Sequence, residues 1–127
     1  MDRTSKPGKV DRFVRMAVLA DVYGPLLTDN QRKAVDLHYG EDLSLAEIAQ
    51  QFGISRAAVH DTLVRAEASL EEYERVLGVV EGAARRRRLA DEALQALAAA
   101  ESETPPAGVR EALAKAATAI RGLREQG

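Results

Sequence analysis

The chain has 127 residues, no cysteine, 46% hydrophobic and only 4% aromatic residues, and a net charge of −2. That length fits one ordinary domain or a compact domain with a helical extension, and without cysteine it has neither a disulfide framework nor a thiolate metal site. No apolar run approaches the ~20 residues of a membrane helix, and the start MDRTSKPGKVDRF lacks the apolar stretch of a signal peptide, so a cytoplasmic location and no membrane partner are expected.

Ala, Leu, Glu and Arg dominate, all strong helix formers, and β-branched runs are scarce, so the expected class is all-α. Charge is unevenly spread. Residues 1 to 15 carry five basic and two acidic residues, whereas residues 26 to 75 carry five basic and ten acidic ones.

In chain order, residues 1 to 8 contain Pro7-Gly8 and no apolar pattern, and read as a flexible tail. A first helix is expected from about Val10 to Tyr23, with Phe13, Val14, Ala17, Val18 and Ala20 at helical spacing, ended by Gly24-Pro25. Thr28 opens a second helix and forms a capping box with Gln31. Ala34, Val35, Leu37 and His38 make its inner face, and Gly40 stops it. Ser44 with Glu47 repeats the device for a third helix, whose buried stripe is Leu45, Ile48, Ala49 and Phe52. Gly53 then supplies a tight turn, Ile54 plugs the angle between helices, and Ser55 caps a fourth helix.

On that helix Val59, Leu63, Ala66, Leu70, Tyr73, Leu77, Val80 and Ala84 alternate at four and three residues. This heptad spacing predicts one long helix, with a seam at Leu63, Leu70, Tyr73, Leu77 and Val80 that pairs with a second copy. Gly78 and Gly82 weaken it, and Arg85, Arg86, Arg87 and Arg88 break it; Leu89, Ala93, Leu94 and Leu97 resume in a new phase. Glu101 to Pro106 reads as a linker, with Thr104 capping a last helix and Pro105 at its first position. Val109, Leu113, Ala116, Ile120 and Leu123 give that helix an apolar stripe. The domain reading is a tail at 1–8, a helix-turn-helix domain at 9–75 and, at 76–127, a helical extension for dimerisation or partner contact.

SLAEIAQQFGISRAAVHDTLVRAE meets the needs of a helix-turn-helix: a small residue, Ala49, facing the second helix, a glycine turn, an apolar inner face at Val59 and Leu63, and a polar outer face. It is similar to the hairpin of the last domain of bacterial sigma factors, without a wing. A recognition helix places its first turns in the major groove. Ser55, Arg56, His60 and Arg65 lie near its outward face, Ala57 and Ala58 allow close approach, and Arg32 and Lys33 on the second helix reach the backbone. Arg85 to Arg88 point all round a helix; they serve either a sequence-independent phosphate contact or a solvated segment paired with Glu81, Asp91 and Glu92. The acidity of residues 26 to 75 opposes the phosphate attraction that dominates DNA affinity. There is no Gly-rich phosphate loop, no nucleophile and base set, and no repeated carboxylate–His spacing, so neither an enzyme, a metal nor a cofactor is expected.

The stretch from about Arg15 to Leu77 resembles the YlxM family of small bacterial helix-turn-helix proteins. The resemblance rests on LLT-x-x-QR, the acidic turn before SL-x-EIA, ISR-x-AV-x-D and the LEEYE run. It implies a DNA-binding or regulatory protein linked by gene neighbourhood to the signal recognition particle. Three functions stay open: a dimeric DNA reader, an adaptor that modulates the particle's GTPase or RNA, and a dimerisation module that no longer reads nucleic acid.

Overall fold

The structure, a computed structural model, describes residues 8–126; the expected tail, apart from Gly8, and the cations Arg3 and Lys6 lie outside the described residues. Six α-helices follow one another: α1 Lys9–Tyr23, α2 Asp29–Val35, α3 Leu45–Phe52, α4 Arg56–Leu77, α5 Val79–Glu101 and α6 Ala107–Gln126. No strand occurs among the described residues, so the chain is all-α and its helix-turn-helix carries no wing. The chain divides into two units between Val80 and Glu81.

Local chemistry starts the short helices where the sequence predicts. Thr28 Oγ1 accepts from the Gln31 amide at 3.2 Å, and the Gln31 side chain takes the Thr28 amide at 3.3 Å. Ser44 and Glu47 make the same reciprocal pair at 3.1 and 2.8 Å. Each box satisfies two amides that a helix start otherwise leaves bare. α2 ends in a single π turn, Asp36–Gly40, and Gly24–Leu26 forms a 3₁₀ turn after α1.

α4 is the axis of the first unit, and α1, α2 and α3 all pack against it. Val59, Leu63, Ala66 and Leu70 are buried on its inner face, against Met16, Leu19 and Tyr23 of α1, Ala34 and Val35 of α2, and Ile48 and Ala49 of α3. Each fully buried aliphatic side chain contributes about 1.5–3 kcal/mol of transfer free energy.

Four expectations are corrected by the fold. α1 buries Met16, Leu19 and Tyr23, while Val14 and Val18 stay 54% and 42% exposed. Two apolar stripes run along α1, and only the one with larger side chains fills the core. Ile54 is 44% exposed rather than plugging the interhelical angle, because Ile48 and Val59 already fill it.

The third correction concerns the long helix. It breaks at Gly78, which adopts a left-handed conformation (φ +61°) and donates its amide to the Glu74 carbonyl at 2.8 Å. A side-chain clamp holds the break. Tyr23 Oη donates to Glu74 Oε1 at 2.6 Å, the Val80 amide donates to the same oxygen at 3.1 Å, and the Val79 amide donates to Tyr23 Oη at 3.1 Å. The seam for a second copy is therefore not continuous. Leu63 and Leu70 are covered by the chain's own short helices, Tyr73 and Val80 pack at the edge of the same core, and Leu77 is 55% exposed. Heptad spacing suits any helix packed along one side, and here the chain supplies the partners itself.

In the second unit α5 and α6 form an antiparallel pair, whose register shows in the Arg124–Asp91 ion pair at 3.0 Å. Thr104 does not cap α6. It sits at φ +51° with its hydroxyl donating to the Glu103 carbonyl, and at the start of α6 the Arg110 amide donates to the Pro106 carbonyl.

Candidate nucleic-acid interface

α3, the Gly53 turn and α4 make the helix-turn-helix. Gly53 takes φ +69°, which a side chain with a Cβ resists, and donates to the Ala49 carbonyl. Ala49, 8% exposed, lies in the core beside Ile48 and Val59, so the small residue sits where the hairpin requires it. Ser55 accepts from the Ala58 amide at 3.0 Å and fixes the start of α4. That leaves the amides of the first turn at the exposed end of a 22-residue helix, where the helix dipole favours an anion.

The six expected contact residues are all exposed, but their electrostatic states differ. Arg65 is held by Asp61 one turn back at 3.2 Å, and Arg32 by Asp36 at 3.9 Å. Among the described residues Arg56 and Lys33 make no ion pair. Arg56, His60, Ala57 and Leu45 of α3 line one shallow depression at the start of α4, so the structure brings Arg56 and His60 together. Lys33 lies apart from them, on the rim of a cleft of about 260 Å³ whose apolar wall is Ala34, Phe52, Ile54 and Val59. This is where the exposed Ile54 ends up.

The four arginines belong to the second unit. All are exposed, and Arg88 approaches Glu81 at 3.8 Å. Asp91, expected beside them, pairs with Arg124 instead.

Sequence reasoning missed a polar seam between α1 and α4. Arg12 pairs with Glu67 at 3.4 Å and Arg15 with Glu71 at 2.6 Å, and Tyr39 donates to Glu67. The Arg15 guanidinium holds the Glu71 carboxyl below its ordinary range. Burial, with Glu67 beside it, pushes the Tyr39 phenol well above the ordinary tyrosine value. Burial also raises the Tyr23 phenol, reinforced by Glu74. The available signal was the spacing of Glu67, Glu71 and Glu74, which places three acids on one stripe of α4. Phe13, His38 and Tyr39 pack edge-on or tilted beside this seam with ring centroids 4.8–5.8 Å apart, and His38 Nδ1 lies 2.8 Å from the Leu43 carbonyl. That bond makes His38 a structural residue of the turn before α3.

Among the described residues no group of three metal-ligating side chains occurs, and no helix is long and apolar enough to cross a membrane.

Residues 10–105 match the UPF0122 family, described as "Putative helix-turn-helix protein, YlxM / p13 like". A UPF0122 protein of Desulforamulus reducens is 44% identical over 97 residues, 76% of this chain and 83% of that protein. One from Symbiobacterium thermophilum is 53% identical over 83 residues, covering 65% of this chain and 78% of the relative. One from Bacillus cereus is 46% identical over 80 residues, 63% of this chain and 73% of its own length. A match over three quarters of the chain, on a fold built around the same helix-turn-helix, leads to one conclusion: the chain belongs to the UPF0122 family of YlxM / p13-like helix-turn-helix proteins.

Proposed function

We propose that the chain is a cytoplasmic DNA-binding regulator that docks the start of α4 in the major groove. The observation that carries this reading is Arg56, an exposed guanidinium without an ion-pair partner among the described residues, beside the bare amides of a capped helix start. Arg56 presents the fork that reads guanine, and Ala57 and Ala58 leave room for a thymine methyl. His60 shares the depression with Arg56. Ser55, Arg65, Arg32 and Lys33 supply contacts that position the helix on the backbone. Arg85, Arg86, Arg87 and Arg88 act on phosphate without sequence preference.

The test is competition. A duplex selected from a random pool is set against unselected duplex at near-physiological salt. The selected duplex is expected to win, and Arg56→Ala is expected to cost about 1–3 kcal/mol and relax the preference. Neutralising Arg85 to Arg88 is expected to weaken all duplexes alike and flatten the salt slope by about 0.9 for each phosphate no longer neutralised. Equal competition, with Arg56→Ala silent, ends the DNA-reader reading.

A second reading is favoured by a different surface. Val10, Val14, Val18 and Val22 stand exposed at four-residue spacing on the outer side of α1, with Asp11 and Asp21 among them. Such a face suits a protein more than a polyanion. It supports an adaptor that contacts the signal recognition particle, whose GTPase or RNA the family resemblance suggests as partner. Under this reading Val14→Glu abolishes a protein contact while Arg56→Ala leaves it intact.

A further inference from the structure

Val10, Val14, Val18 and Val22 of α1 are 75%, 54%, 42% and 39% exposed. Apolar side chains scattered over a surface are ordinary, but four in one row are not. Steps of four residues make a continuous ridge, which here runs about 18 Å along the helix and drifts through ~120° of arc.

The charges on and around the ridge are of one sign. At ~100° per residue, the half of α1 centred on Val14 holds the four valines and Ala17, with Asp11 and Asp21 as its charged residues. Both carboxylates are exposed, and neither makes an ion pair or a hydrogen bond among the described residues. The cations nearest this half are turned elsewhere. Arg15, at its edge, is held by the two oxygens of Glu71 at 2.6 and 2.8 Å. Arg32 shares a cleft with Asp21 but leans toward Asp36, 3.9 Å away. Lys9 falls ~140° from Val14 around the helix. The ridge thus carries two uncompensated carboxylates, about 15 Å apart along the axis.

We propose that this ridge docks an amphipathic helix of another protein, one with lysine or arginine beside its apolar stripe. The inference rests on the adaptor reading and gives that adaptor's partner a chemistry. Charge selects the occupant. Nucleic acid and anionic lipid are both repelled by Asp11 and Asp21. A second copy is disfavoured too. Antiparallel pairing about the ridge's midpoint matches Val10 to Val22 and Val14 to Val18, but it sets Asp11 against Asp21 of the copy, twice. Parallel pairing sets Asp21 against Asp21. Like charges across an interface exclude wrong partners, and opposite ones fix the register of the right one. A helix lying nearly along α1 meets both carboxylates with cations about ten residues apart, and its apolar side chains straddle the valine ridge.

Fluorescence anisotropy with two labelled peptides tests this on the full chain. One is a synthetic amphipathic helix of about 18 residues, with leucines at helical spacing and lysines beside them; the other has glutamate at every lysine. The lysine peptide is expected to saturate below roughly 100 µM, as small transient interfaces do, and to weaken with salt. The glutamate peptide is expected not to bind. Asp11→Asn with Asp21→Asn is expected to weaken the lysine peptide by about five- to tenfold. Glu41→Gln with Glu103→Gln removes the same charge off the ridge and is expected to change nothing. Val14→Glu is expected to abolish binding, and Val14→Ser with Val18→Ser, without a new charge, to weaken it. Far-ultraviolet circular dichroism shows that each variant keeps its helices.

Binding of both peptides alike, or insensitivity to the paired asparagine variant, overturns the basic partner. If Val14→Glu still abolishes that binding, the adaptor reading survives without it. Lysine-peptide binding that Val14→Glu and the paired serine variant both leave intact removes the ridge as a docking site, and the adaptor reading falls with it. A wild-type dimer that Val14→Glu dissociates also overturns the proposal, assigning the ridge to a second copy.

Discussion

Replacing Tyr23 by Phe deletes one oxygen and leaves the ring in the core. That oxygen donates to buried Glu74 at 2.6 Å and accepts from the Val79 amide at 3.1 Å. Losing a hydrogen bond to a carboxylate costs about 1.5–3 kcal/mol, and the orphaned, half-buried Val79 amide adds up to about 1 kcal/mol. The expected loss is therefore about 2–4 kcal/mol, large against the total stability of a small domain. All three tyrosines precede the division at Val80, so near-ultraviolet circular dichroism in urea follows the first unit alone. A double-mutant cycle with Glu74→Gln isolates the pair and is expected to give a coupling of about 1–2 kcal/mol. Single substitutions that add to within about 0.5 kcal/mol, or a Tyr23→Phe chain with an unshifted midpoint, would refute the clamp.

Ala49→Asp places an unpaired carboxylate at a site only 8% exposed, and is expected to destabilise the hairpin by about 3 kcal/mol or more; an unchanged melting curve contradicts the register of α3. Gly78→Ala meets no atom within 4 Å but keeps φ +61°, so thermal melting is expected to show a backbone cost of about 1–2 kcal/mol. Gly82→Ala, helical and near only the flexible end of Arg86, is expected to be neutral or stabilising in the same assay. The Tyr39 phenol is raised in the fold, so its stabilisation is present below the unfolded tyrosine value of ~10 and is lost as pH rises above it. Urea midpoints are expected to fall above pH ~10, less steeply in Tyr39→Phe, and an identical pH slope in the variant counts against the Glu67 contact.

The sequence revealed what is local. Both capping boxes, the Gly53 turn and the inner face of α3 are set by residues three or four apart, and all are found where spacing predicts them. What failed is non-local or degenerate. Glu74 and Tyr23 are 51 residues apart, and without that contact Gly78 looks no more decisive than Gly82. In α1, the valines at 10, 14, 18 and 22 and the stripe of Met16, Leu19 and Tyr23 are both periodic. Periodicity cannot choose between them; volume in the core does. The heptad run on α4 correctly marks its buried face as far as Leu70, but spacing does not say whether the covering helix comes from the same chain.

The acidity of residues 26 to 75 also has a different meaning once its partners are known. Glu67 and Glu71 are answered by Arg12 and Arg15, which lie outside that segment. Glu72 pairs with Arg75, Asp36 with Arg32 and Asp61 with Arg65, while Glu47 serves a cap and Glu74 the clamp. A phosphate is governed by charges within about a Debye length, ~8 Å at physiological salt, and not by the sum over the segment. At the start of α4 the nearest cation in sequence is Arg56, free of any ion pair among the described residues. Arg65 differs, because a phosphate that takes its guanidinium leaves Asp61 uncovered on the same face. The exposed pair is itself worth only about 0–1 kcal/mol, so the exchange is easy, but its net gain is small. Arg65→Ala should therefore weaken a selected duplex less than Arg56→Ala does. Asp61→Asn should strengthen binding, since it removes the repulsion and frees Arg65 at once.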